Sequence, residues 1–68
     1  MPTSRSPLLE GWGRQVRAAR QGRGWTVRVL AARAGISPPT VLRIETDRPV
    51  RAPKIAAVLT VLDLTPEP

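Results

Sequence analysis

The stretch T-V-R-V-L-A-A-R-A-G-I-S-P-P-T-V-L-R-I-E, Thr26 to Glu45, decides how this chain folds. It reads as two short helices joined by a tight turn, with each boundary marked. Thr26 is a good N-cap, because its hydroxyl can accept from a free N–H of the first turn. Leu30, Ala31 and Ala34 then line one face at helical spacing. Gly35 stands where the chain must take a left-handed turn, which costs glycine little. Ile36 plugs the core from the turn. Ser37 caps a second helix, and Pro38 fills its first position, where a missing N–H loses nothing. Val41 and Ile44, three apart, hold that helix against the first.

Three or four residues with a glycine between two helices are the helix-turn-helix supersecondary signature. The same spacing serves an ordinary αα-hairpin that binds nothing, so the rest of the chain has to choose. Charge is the first discriminator. Eleven basic residues, ten of them arginine, stand against five acidic ones, for a net +6. Residues 13–54 hold ten bases and two acids (Glu45 and Asp47), a local balance of +8. From Ile55 onward the only charged side chains are Asp63 and Glu67. A basic body with an apolar, weakly acidic end suits a polyanionic partner.

Composition excludes more than it selects. Sixty-eight residues make one domain near the lower size limit for a single core. The chain has neither cysteine nor histidine, so disulfides, thiolate metal sites and nucleophilic triads are out. No metal and no cofactor is expected. No apolar run approaches the roughly 18–20 residues of a membrane span, and M-P-T-S-R-S-P lacks the apolar centre of a signal peptide. The expectation is a cytoplasmic protein with no membrane contact.

Taken in order, residues 1–6 are an arm rich in Ser and Pro, in which Arg5 could reach nucleic acid. Ser6-Pro7 repeats the cap-then-proline start and opens a helix through Gln21, with Leu8 or Leu9, Trp12, Val16 and Ala19 as its stripe. Gly11 and Gly13 weaken it, by about 1 kcal/mol each against alanine if interior, so a start near Trp12 is the alternative. Gly22-Arg23-Gly24 ends this helix, and Trp25 plugs the core. T-D-R-P-V-R-A-P is a loop by composition. Ala52-Pro53 starts a last helix with Ile55, Val58, Leu59 and Leu62 inward, and Val61 and Leu64 extend its apolar surface. The reading is all-α: a compact four-helix domain over residues 7–64, with no sheet and no repeat, followed by a short tail at 65–68.

This order of features resembles the lambda-repressor-like, or Xre-type, helix-turn-helix domain. The likeness runs through Gly13–Arg20, Trp25–Glu45 and Lys54–Leu64. It is strongest at Leu30-Ala31, Ala34-Gly35-Ile36-Ser37, Thr40-Val41 and Arg43-Ile44-Glu45. It implies a dimer on double-stranded, palindromic operator DNA, with the second motif helix in the major groove and half-sites about 34 Å apart. Carried over by position, Pro38, Pro39, Thr40 and Arg43 face base edges, and Arg43 alone can make a bidentate contact to guanine. Arg28, Ser37, Arg48 and Arg51 become phosphate contacts, with Arg17, Arg23 and Arg33 as weaker candidates. Arg20 and Glu45 become an internal ion pair. The chain departs from the pattern at Val27, at Pro38-Pro39 and at Asp47, which replace a backbone-reaching glutamine, polar base readers and a glycine.

A full fifth helix often follows in that family, and here the chain stops first. The Val58, Val61, Leu62 and Leu64 surface is therefore expected to form the homodimer interface, through the last helix or the Leu62–Pro68 tail, the alternative being that these residues close the monomer core. The functional expectation is a small sequence-specific repressor of phage, plasmid or mobile-element type. The alternative is an antitoxin that binds its own operator and a toxin partner. An RNA reader would need exposed aromatics, and Trp12 and Trp25 are expected in the core. Enzymatic activity is not expected.

Overall fold

A computed structural model describes residues 12–64, and within them the chain is four helices with no strand. The helices are α1 (Gly13–Gly22), α2 (Val27–Ala34), α3 (Pro38–Glu45) and α4 (Ala52–Val61). The arm at 1–6, the Ser6-Pro7 helix start, Leu8, Leu9 and the 65–68 tail lie outside the described residues. Helix α1 begins at Gly13, directly after Trp12.

The two helix starts inside the motif are set locally. Thr26 Oγ1 accepts from Val29 N at 3.1 Å, and Ser37 Oγ accepts from Thr40 N at 3.4 Å. Both caps have extended backbone, with ψ 168° and 152°. Pro38 and Pro39 occupy the first two positions of α3 and preset its φ.

All four helices end the same way. A residue with φ between 59° and 73° follows the last turn: Gly24, Gly35, Asp47 and Asp63 in order. The next residue's N–H then reaches back five positions, from Trp25 to Arg20 O, Ile36 to Ala31 O, Arg48 to Arg43 O and Leu64 to Leu59 O. This is the Schellman closure, which satisfies carbonyls that a helix end leaves open. Two of the four left-handed positions are aspartates, a conformation an L-residue adopts at some cost.

The core is Val16, Leu30, Ala31, Val41, Ile44, Ile55, Val58, Leu59 and Leu62. Helix α2 packs on α3 and α4, and α1 packs on α3. Burying a Leu or Val fully contributes roughly 1.5–3 kcal/mol. Two residues expected at a dimer interface are therefore corrected. Val58 is 0% exposed and Leu62 2%, because α4 turns that face onto α2 and closes the monomer core with it. Val61 and Leu64 are half-buried and pack against the same cluster.

Gly13 has a use that its helix propensity hides. A Cβ built there would lie 2.6 Å from Glu45 O, 2.8 Å from Ile44 O and 2.9 Å from Asp47 Oδ1. The first turn of α1 thus sits directly on the last turn of α3. Gly13 N donates to Asp47 Oδ1 at 3.1 Å, so Asp47 caps a helix that begins thirty-four positions earlier. Positive and negative ends of two helix dipoles meet at this junction, which favours the contact.

Candidate nucleic-acid interface

Helix α3 divides cleanly into two faces. Val41 and Ile44 are buried, and Thr40 and Glu45 are half-buried. Ser37, Pro38, Pro39, Leu42, Arg43 and Thr46 are exposed. At 3.6 residues per turn, Leu42 falls between Pro38 and Pro39 around the helix, near the middle of the outward face, and Arg43 falls at its edge.

The positions expected to face bases are thus unequal. Pro38, Pro39 and Arg43 are outward. Thr40 is set back, and its Oγ1 lies 2.8 Å from Ser37 Oγ, so the two hydroxyls bond each other at the cap. Ser37 is committed to the same cap. Leu42, 51% exposed, is a member of this face that the sequence reading does not place there. Its i+4 relation to Pro38 and i+3 relation to Pro39 is the signal that could have found it. That signal is ambiguous by pattern alone, because leucine in an amphipathic helix more often fills a core.

Arginine supplies the charge on the neighbouring segments. Arg28 is exposed in the first turn of α2, and Arg48 and Arg51 are exposed in the loop between α3 and α4. The start of α2 also carries ordinary N–H groups at Val27 and Arg28, whereas α3 begins with two prolines that have none. An anion therefore finds backbone donors at α2 and not at the tip of α3. Val27 itself is half-buried against the core.

Two other arginines are occupied. Arg33 lies 4.5 Å from the Trp25 ring centroid and Arg23 5.3 Å, a cation–π arrangement on one indole. Arg23 Nη2 also donates to Leu62 O at 3.1 Å and so caps the end of α4.

Arg20 and Glu45 meet fork to fork. Arg20 Nε donates to Glu45 Oε2 at 2.7 Å, and Nη2 donates to Oε1 at 3.1 Å. Arg20 Nη1 donates to Trp25 O at 2.9 Å, and the Arg20 and Glu45 side chains are 12% and 5% exposed. Hydrogen bonding to Glu45 raises the Arg20 pKa, burial opposes that rise, and the charge of Glu45 adds to it. This cluster ties the end of α1, the α1–α2 turn and the end of α3 into one unit.

No described helix is long and apolar enough to cross a membrane. Among the described residues no group of acidic side chains could hold a metal ion. Compared with known families, residues 13–68 match one described as a helix-turn-helix domain. No curated protein and no solved structure matches the chain.

Proposed function

The chain belongs to the helix-turn-helix domain family, and from that premise we infer that it is a sequence-specific, double-stranded DNA-binding regulator of transcription, acting as a repressor by occupying its operator. The observation that carries this reading is the outward face of α3, held rigidly from behind and accompanied by exposed Arg28, Arg43, Arg48 and Arg51. In this reading α3 enters the major groove. Arg43 takes guanine O6 and N7, and Arg28, Arg48 and Arg51 take phosphates. The protein works in the cytoplasm as a homodimer of the compact kind that phages, plasmids and mobile elements use. With Val58 and Leu62 committed to the core, the apolar part of the contact between copies falls to Val61 and Leu64. Sedimentation at micromolar concentration, with and without operator, tests that contact, and a monomer in both conditions refutes it.

The DNA reading is tested by fluorescence anisotropy against duplex from upstream of the protein's own gene and against a scrambled duplex. Three phosphate contacts per protomer, six in the homodimer, predict a loss of affinity on the order of 10³-fold between roughly 50 and 200 mM salt. Preference for the upstream duplex, removed by Arg43→Ala, supports a specific repressor. Equal binding to both duplexes refutes it.

A further inference from the structure

We propose that α3 reads its operator chiefly through thymine C5-methyl groups, with Leu42 as the central specificity-determining contact. The proposal rests on the DNA-binding reading above and deepens it.

The outward face of α3 has few polar groups to offer. Pro38 and Pro39 carry no N–H and no polar side-chain atom. The Ser37 and Thr40 hydroxyls bond each other at 2.8 Å, and Thr40 is set back from the face. Thr46 Oγ1 donates to Leu42 O at 2.8 Å, so its hydroxyl proton is used by the helix itself. Beyond the one hydroxyl proton that the Ser37–Thr40 pair does not use, Arg43 is left as the donor of this face, and it stands at the edge. Adenine recognition in the major groove needs a side-chain amide that donates to N7 and accepts from N6–H, and no such group is present on this helix.

What the face does offer is apolar. Leu42 is 51% exposed near its centre and is flanked by two proline rings. The apolar group that base pairs present in the major groove is the thymine methyl. Charge complementarity selects DNA over a second copy of this chain as the occupant. Arg43 on the same helix, Arg48 and Arg51 after it and Arg28 on the helix packed behind it are all exposed and cationic. A·T pairs are therefore recognised from the thymine side, and Arg43 adds one guanine.

The test starts from selection of a bound site out of a random duplex library by the full chain. Each thymine of that site is then replaced by deoxyuridine, which removes the methyl and keeps the pairing. We expect one or two positions at which this weakens binding about fourfold, the factor that corresponds to burying one methyl group. Leu42→Ala should bind the thymine and deoxyuridine duplexes equally. Leu42→Gln should lose sensitivity to the methyl and gain a preference for adenine. Because Leu42 is exposed, thermal unfolding of both variants should match the parent.

A selected site that tolerates deoxyuridine at every position overturns the methyl reading and leaves specific DNA binding intact. Failure to enrich any site removes the reading beneath it as well. A Leu42→Ala variant that changes self-association and not DNA affinity assigns the patch to a second copy, and the proposal falls.

Discussion

The two ends of α3 are built on opposite plans, although the helix is only eight residues long. The C-terminal end is fastened from several sides. Glu45 is gripped by Arg20, Asp47 holds the first N–H of α1, and Gly13 lies against the Glu45 and Ile44 carbonyls. The N-terminal tip is fastened by local devices, the Ser37 cap and two prolines whose rings fix φ without any tertiary partner. The contrast teaches that position and recognition are divided along one short helix. The buried end sets where α3 lies, and the free end and outward face are left to meet a ligand.

Breaking the fastened end should cost most. Glu45→Ala strands a guanidinium that is only 12% exposed, and is expected to destabilise by about 3–5 kcal/mol in a urea titration. Arg20 has a raised folded-state pKa, so its share of the stability is complete below the unfolded-state value. That share is lost only as the pH climbs through the folded-state value, so Arg20 adds no pH dependence near neutrality.

Gly13→Ala sharpens the comparison, because two physical effects predict opposite signs. Helix propensity predicts a gain of at most about 1 kcal/mol, the interior value, because Gly13 is the first residue of α1. The backbone oxygens at 2.6 and 2.8 Å cannot yield without moving α3, and overpacking of that kind costs about 1–3 kcal/mol. We expect a net loss, read as a lower urea midpoint with unchanged m.

At the tip the effects shrink. Ser37→Ala removes the cap of α3 and is expected to cost about 1 kcal/mol by the same urea titration. Arg43→Ala should leave the stability within about 0.5 kcal/mol of the parent, as an exposed substitution does. Its effect should appear instead in DNA affinity, a loss of about 1–3 kcal/mol at a guanine position. A large stability loss from Arg43→Ala would erase the division between the two ends.

Legibility in the sequence follows the same line. The caps at Thr26 and Ser37, the left-handed Gly35 and the inward Leu30, Ala31, Val41 and Ile44 can all be read, because each signal lies within a turn of the feature it sets. Asp47 is legible only as a departure from a glycine. Its φ of 59° keeps the turn that glycine would make, and its carboxylate adds a bond to Gly13 N. Leu42 escapes the sequence reading because its one mark, the spacing that puts it on the side of Pro38 and Pro39, is outweighed by the usual place of leucine in the core of an amphipathic helix.

By itself, then, the sequence determined the number and order of the described helices, the turn between α2 and α3, and the basic charge around them, since capping, glycine turns and periodicity act within a few residues. Only the tertiary structure decided that Gly13 is a contact and not a weakness, that Val58 and Leu62, read both as inward and as interface, are spent wholly on the monomer core, that Arg23 and Arg33 lie on Trp25, and that Leu42 looks out. Each of these depends on a surface contributed by a distant segment, and no local pattern records which segment arrives.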